Sequence, residues 1–210
     1  MTRTSHKMNR HVIAFAIATA AISLLYSCKK SKTDPQPVSP NYARLLNESE
    51  NLTIPDAVAL PFGTNGNTRI ATLYAEGVQK YKAQIKPNSQ PAIYEWILAG
   101  PEADLYDWTN KKIGTHGAGP HWQLFGGTDS IFGQHFAPPK SAPSTEPSTI
   151  DWLLLMPKAG KTSTGLFANV DYIQRIATVG GKAPVTPPSS LNDTVDVKYT
   201  AIYRFSKKNQ

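Results

Sequence analysis

Residues 197–206 read VKYTAIYRFS, and this stretch decides the fold class. Apolar side chains occupy the odd positions from Val197 to Phe205, while the even positions are polar except for Ile202. A period of two residues with one apolar face predicts an antiparallel strand that is buried on one side.

Similar short runs recur through the preceding part of the chain, separated by clusters of Gly, Pro, Asn and Asp. They predict strands near residues 68–75, 77–85, 92–98, 121–125, 131–136, 150–156, 168–178 and 196–206. No helical pattern of the length of a crossover connection lies between these runs, which argues against a parallel sheet. We therefore predict an all-β, mainly antiparallel single domain with long loops, built as a sandwich or a barrel.

Other segments refine this prediction. Residues 150–156 read IDWLLLM and are apolar on both faces, which predicts a central strand with a buried Trp152. Trp96 is likewise expected to pack in an apolar strand. Residues 137–149 are rich in Pro and Ser and predict an exposed loop, and residues 42–52 predict a short helix or a loop.

The first 28 residues have the pattern of an export signal. Basic residues precede an apolar run from Val12 to Leu25, and the only cysteine of the chain, Cys28, follows it. This arrangement resembles the bacterial lipobox, in which the cysteine is acylated and becomes the new N-terminus. A plain signal peptide with an incidental cysteine, or an uncleaved anchor, are the alternatives.

The remaining boundaries follow from composition. We predict a lipoprotein signal peptide at 1–28, a flexible tether at 29–50, a single β-rich domain at 51–206 and a basic tail at 207–210. We expect an exported protein in the bacterial cell envelope, held at the outer membrane through acylated Cys28.

Charge and cysteine content exclude several classes of protein. The net charge of +7 falls to +2 for residues 35–210, because the other positive charges belong to the first 34 residues. A nearly neutral domain gives no electrostatic basis for binding nucleic acid. A single cysteine excludes an intrachain disulfide and any metal site made of several cysteines.

The main candidate for a functional loop is residues 114–122, GTHGAGPHW, which contain His116, His121 and Trp122. Together with His135, its histidines could form an open zinc site, but their spacing matches no known metal motif. The favoured expectation is that His116 holds the loop by hydrogen bonds. We predict no metal and no cofactor, because phosphate-binding glycine motifs are absent as well.

Four further residues are weaker candidates. Glu102 follows a strand end, Trp108 lies in a polar turn suited to ligand stacking, and Asp129 could pair with a histidine. Arg175 lies among apolar neighbours, where a charge must be paired or must point outwards. Convergence of His116, Glu102 and Arg175 on one pocket would favour an enzyme or a ligand-binding protein.

Several segments, taken in order over about residues 55–206, resemble the domain-of-unknown-function 3455 family. They are GVQKY at 77–81, WILAGPEADL at 96–105, GTHGAGPHW at 114–122, IDWLLL at 150–155, IQRIATVGGKAP at 173–184 and YTAIYRF at 199–205. The resemblance implies a secreted β-rich domain without an established activity. It also implies that His116 is part of the family pattern, whereas His121 and His135 are not. Many relatives carry a cysteine at the position that Ala83 occupies in this chain.

These observations leave three hypotheses for function. The first is a lipid-anchored envelope protein that acts as a binding or interaction module, with a small molecule, a glycan or an envelope protein as its partner. The second, less favoured, is an envelope hydrolase that uses His116 with a carboxylate such as Asp129 or Asp107. The third is a purely structural envelope component.

Overall fold

The computed structural model describes residues 41–62 and 66–210. The predicted signal peptide with Cys28, and residues 29–40 of the predicted tether, lie outside this range. Residues 39–210 group as one compact unit.

Eight antiparallel strands, joined in sequence order, form a closed barrel. Each strand pairs with the next, and β1 also pairs with β8 to close the ring. The strands are β1 (Asn67–Ile85), β2 (Tyr94–Tyr106), β3 (Lys112–Gly117), β4 (His121–Leu124), β5 (Ser130–Ala142), β6 (Trp152–Pro157), β7 (Tyr172–Gly180) and β8 (Thr194–Lys208). The all-β prediction is confirmed, and the barrel is the form the fold takes.

The two strands predicted at 68–75 and 77–85 are one long strand, β1. Gly77 suggested a break, but it is a point of close approach between strands. A Cβ at Gly77 would collide with the main-chain oxygen of Glu102 and with Ala103 on β2. The glycine is therefore needed for strand packing and does not mark a turn.

The glycine-rich segment 114–122 is mostly strand, not the loop we predicted. It contains the end of β3, a short turn and the start of β4. Gly114 pairs with Leu124, and a Cβ at Gly114 would collide with the main-chain oxygen of Gln123. His116 consequently lies on a strand, opposite Trp122 on β4.

Alternate side chains of the strands fill the barrel, as the pattern of β8 predicted. Tyr199, Ala201, Tyr203 and Phe205 all belong to the main buried cluster. A short 3-10 helix, Gly165–Phe167, follows β6 and adds Phe167 to the same cluster. Phe167 packs on Phe205, with ring centroids 4.7 Å apart, and so fills one end of the barrel.

A helix, α1 (Tyr42–Ser49), covers part of the outer surface. Tyr42 and Leu46 pack against Tyr74, Ile176 and Ile202. This contact explains why Ile202 is apolar on the otherwise polar face of β8. No helix within residues 41–62 and 66–210 is both long and apolar enough to cross a membrane.

The structure corrects two predicted boundaries, one at each end of the domain. Residues 41–50 were assigned to a flexible tether, but they fold onto the barrel, where the buried Arg204 donates a hydrogen bond to the main-chain oxygen of Ser49 (2.8 Å). The domain thus begins near residue 41. At the other end, β8 continues to Lys208, so the first half of the predicted basic tail is strand.

The surroundings of β6 confirm part of the prediction for residues 150–156. Leu153 and Leu155 contact the inner cluster, while Leu154 packs outside with Val58. The strand is therefore covered on both sides. Trp152 is only half-buried on the outer face, so the prediction of full burial was wrong. The loop predicted at 137–149 was also partly wrong, because β5 extends to Ala142.

Candidate functional site

One end of the barrel carries the β3–β4 turn, and we call this end the mouth. A cavity with a volume of about 240 Å³ opens there. Two of its wall residues, Leu98 and His135, are exposed at the surface, so the cavity is open to solvent. We call this space the mouth cavity. Its walls are formed by Gln79, Leu98, Ala99, Gly100, Pro101, His116, Gly119, Pro120, Trp122, His135, Leu153, Leu155, Arg175 and Tyr203.

His116 is held by both ring nitrogens and is 3% exposed. Its Nδ1 lies 2.8 Å from the main-chain oxygen of His121, and its Nε2 lies 3.0 Å from the hydroxyl of Tyr203. A carbonyl only accepts, so Nδ1 carries the proton and Nε2 accepts from Tyr203. His116 therefore joins β3, β4 and β8, in agreement with the structural role we favoured.

This arrangement keeps His116 neutral. Burial lowers the pKa of His116 to about 3, and the positive charge of Arg175 adds to this effect, while the hydrogen bond to His121 opposes it. The neutral ring is also the form that can accept a hydrogen bond from the hydroxyl of Tyr203. A base with both nitrogens occupied is poorly suited to take a proton from a substrate.

Trp122 forms the floor of the site together with His116. The two rings stack with centroids 4.5 Å apart and an interplanar angle of 13°. Tyr203 meets Trp122 edge-on at 5.1 Å. Trp122 is fully buried, and Gly133 on β5 leaves room for its ring, because a Cβ there would lie 3.0 Å from the indole.

Arg175 projects from β7 into the same space. It pairs across the sheet with Leu153 and Tyr203, which also line the mouth cavity. Its Nε and Nη2 donate to the main-chain oxygen of Asp151, at 3.1 and 2.8 Å. Our prediction of an outward-pointing or ion-paired arginine was wrong, because a carbonyl holds the guanidinium inside the mouth.

Two buried donors beside the mouth cavity have no hydrogen-bond partner. They are Nε2 of Gln79 and Nε1 of Trp122. Gln79 is 2% exposed, and both residues line the cavity. A buried polar group without a partner costs roughly 1–3 kcal/mol. Both nitrogens are covered by neighbouring atoms, and Tyr199, Arg204 and Ser206 carry comparable unpaired atoms elsewhere in the barrel, so these donors do not by themselves mark a site.

The structure brings only some of the predicted site residues together. His116, Trp122 and Arg175 meet in the mouth, and His135 lies at its rim. His121 does not line the cavity; its ring packs on Phe132 with centroids 5.3 Å apart. Glu102 is exposed and pairs with Lys80 at 2.5 Å, so His116 and Arg175 share the mouth without Glu102.

The remaining carboxylates and Trp108 lie away from the mouth. Asp129 is in the turn at the other end of β4, where its Oδ1 accepts from the main-chain nitrogen of Leu166 (2.7 Å). Asp107 accepts from Thr109 and Lys111 within the β2–β3 turn. Trp108, 72% exposed, belongs to that same turn. Neither carboxylate therefore assists His116 as a hydrolase would require.

Metal binding finds no support in the part of the chain that the structure describes. Among residues 41–62 and 66–210, no group of three or more His, Cys, Asp or Glu side chains could hold a metal ion. The three histidines do not converge on one point. The ring of His116 bonds to Tyr203 inside the barrel, that of His121 packs on Phe132, and His135 lies at the rim of the cavity.

Sequence analysis missed Gln79 and Tyr203 as site residues. Tyr203 was assigned to the inner face of β8, but its role as a hydrogen-bond partner of His116 depends on contacts between distant strands. Gln79 carried a detectable signal. It shares the inner face of β1 with Leu73 and Ala75, and a polar residue on an apolar face is the kind of exception that marks a site.

Comparison with known proteins bears on the identity of this barrel. The sequence model of a family described as protein of unknown function (DUF3455) matches residues 64–207. The chain belongs to the DUF3455 family. The DUF3455 match contains β1 to β7 and nearly all of β8, whereas α1 precedes it. The resemblance inferred from the sequence is thus confirmed, and the family carries no established activity. Comparisons with curated proteins and with solved structures gave no match.

Proposed function

We propose that this protein is a lipid-anchored bacterial cell-envelope protein that binds a small molecule in the mouth cavity. The observation that carries the proposal is a solvent-open cavity of about 240 Å³ at one end of the barrel, with the guanidinium of Arg175 in its wall. A barrel selected for stability alone would fill this end with apolar side chains, as Phe167 does at the other end.

The dimensions of the barrel support a small ligand. The interior of an eight-stranded barrel is just wide enough to be filled by side chains or to hold one small molecule. At about 30 Å³ per water in the liquid, the mouth cavity has the volume of about eight waters. A ligand of about ten non-hydrogen atoms matches this space.

Binding is tested by following the four tryptophan indole signals of the full-length protein in detergent solution by NMR. The probes are the neutral phenylacetamide and the anionic phenylacetate. Each is added up to about 10 mM, which is enough to detect the weak affinity of a small fragment. We expect at least one probe to move the indole signal of Trp122 and to leave that of exposed Trp108 unchanged. A Trp122→Phe variant assigns the signal.

The same measurement separates binding from the rival hypotheses. If neither probe moves the Trp122 signal, the proposal of a ligand-binding mouth fails, and a structural role in the envelope becomes the better explanation. Equal movement of the Trp108 and Trp122 signals would indicate unspecific association with apolar surfaces and would also count against the proposal.

The anchor is tested separately with Cys28→Ser. We expect the wild-type protein to fractionate with membranes and to carry acyl chains on Cys28, whereas the variant becomes soluble or keeps its signal peptide. Wild-type protein that is fully soluble and begins after residue 28 would contradict the lipid anchor. That result would leave the ligand-binding proposal intact.

A further inference from the structure

We infer that the mouth cavity recognises a carboxylate, that Arg175 is its receptor, and that the ligand is a small monocarboxylate with an apolar body. This inference rests on the proposed function, since it specifies the ligand of the same cavity. It adds a charge, a receptor residue and a chemical class.

The first argument is the incomplete pairing of Arg175. A guanidinium carries five N–H donors and stays charged at all physiological pH values. Its Nε and Nη2 both donate to the main-chain oxygen of Asp151. The guanidinium also lies beside the hydroxyl of Tyr203, but no carboxylate among the described residues pairs with it. The ion pairs formed within residues 41–62 and 66–210 do not include Arg175.

The second argument is the sign of the charge in the cavity. None of the residues that line it is acidic, and none is a lysine. His116 is neutral, so Arg175 supplies the permanent charge of the wall, with His135 as the other basic residue, at the rim. Burial raises the pKa of Tyr203, and the charge of Arg175 partly offsets that rise, so the guanidinium acts directly on the groups of the mouth. A site with one uncompensated cation favours a ligand with one negative charge.

The third argument distinguishes a carboxylate from a phosphate. An arginine fork fits the two oxygens of either group. A phosphate monoester carries up to two charges and requires more donors, which elsewhere come from several basic residues or a helix N-terminus. The mouth cavity offers one arginine and no helix, so its charge matches a single carboxylate.

The walls define the rest of the ligand. Leu98, Pro120 and Leu153 are apolar residues of the wall. These surfaces suit an aliphatic or aromatic body rather than a sugar, which would need many polar partners.

Binding of matched probes to the full-length protein in detergent tests the inference, measured by calorimetry and by the Trp122 indole signal. The probes are phenylacetate, its neutral isostere phenylacetamide and the doubly ionisable benzylphosphonate. We expect phenylacetate to bind at least about tenfold more tightly than the amide, because the amide can accept from Arg175 but carries no negative charge to pair with it. We also expect it to bind more tightly than the phosphonate.

Variants identify the receptor residue. Arg175→Gln should abolish the preference for phenylacetate over phenylacetamide, so that the ratio of the two affinities falls to about one. Arg175→Lys keeps the positive charge, so it should retain part of the preference for phenylacetate. Arg44→Gln, which removes an exposed arginine on α1, is the matched control and should change neither affinity.

Each outcome has a separate meaning. Equal affinity of wild-type protein for phenylacetate and phenylacetamide would overturn the carboxylate inference and leave a ligand-binding mouth standing. Tighter binding of benzylphosphonate would overturn the choice of carboxylate, and an unchanged preference in Arg175→Gln would overturn the role of Arg175. Absence of binding by all three probes would overturn the proposed function together with this inference.

Discussion

His116 stabilises the barrel by joining three strands through one neutral ring. Its Nδ1 reaches the main chain of β4 and its Nε2 reaches Tyr203 on β8. The ring also stacks on Trp122. A side chain with this many fixed contacts restricts the shape of the mouth, so a change at position 116 should affect both stability and the cavity.

Acid should destabilise the protein through His116. The unfolded chain protonates this histidine near pH 6.5, whereas the folded protein does so only near pH 3. The unfolded state therefore binds more protons between these values, and the stability present above pH 6.5 is lost as the pH falls towards 3. The loss approaches about 1.4 kcal/mol per pH unit in this window.

Urea unfolding of the wild type and of His116→Gln at several pH values between about 7.5 and 4 measures this effect. Glutamine cannot titrate, so the variant should lose about 1–3 kcal/mol at neutral pH but show a shallower decline in acid. Parallel pH dependence of the two proteins would show that another group causes the acid sensitivity.

At the scale of elements, α1 stabilises the outer surface of the barrel. Leu46 is 6% exposed and packs with Tyr42 over Ile176 and Ile202. We expect Leu46→Ala to lower the free energy of unfolding by about 2–3 kcal/mol, because it leaves a gap beneath the helix. Asn47→Ala, at an exposed position of the same helix, should change stability by less than about 0.5 kcal/mol.

Chemical denaturation of both variants, followed by the fluorescence of the tryptophans, gives the two values. A Leu46→Ala protein as stable as Asn47→Ala would mean that α1 contributes little to the fold. The result would then restore the predicted flexible tether for residues 41–50.

The sequence predicted some elements well because their pattern is local. The alternation in β8 identified the inner face with Tyr203 and Phe205, and the apolar run of β6 indicated cover on both sides. The exception at Ile202 had no explanation in the sequence, and the fold shows that α1 covers it. In each case the side chains of one strand carried the information.

Other elements were not predictable from local pattern. Gly77 and Gly114 are signals for turns in sequence, but in the barrel they permit close approach of neighbouring strands. The site depends on strands far apart in the chain, since β1 contributes Gln79, β3 His116 and β7 Arg175. Arg175 was identified as unusual, but its direction depends on which face of β7 lines the barrel.

At the scale of the whole molecule, the two ends of the barrel differ. Aromatic side chains centred on Phe167 and Phe205 fill the end near the start of β1. The mouth contains His116, Arg175 and an open cavity instead. This division separates the part that stabilises the fold from the part proposed to bind a ligand.

Removing a side chain from the filled end should therefore cost stability without changing ligand specificity. We expect Phe167→Ala to lower the free energy of unfolding by about 3–5 kcal/mol. Its ratio of affinities for phenylacetate and phenylacetamide should stay at the wild-type value when the protein is measured well below its melting temperature. A changed ratio would show that the two ends are coupled.

The closure of the ring by β1 and β8 has a consequence for the order of events during synthesis. Their pairing runs from Asn67 with Lys208 to Lys82 with Thr194, so the first strand to leave the ribosome bonds to the last. Until the final residues emerge, β1 has one unpaired edge, and the long-range closure is slow to form. A chain that ends at Asp193 should show no near-ultraviolet circular dichroism from a packed Trp122. For a protein that crosses a membrane unfolded, as the proposal for residues 1–28 requires, this late closure keeps the chain competent for export until translation is complete.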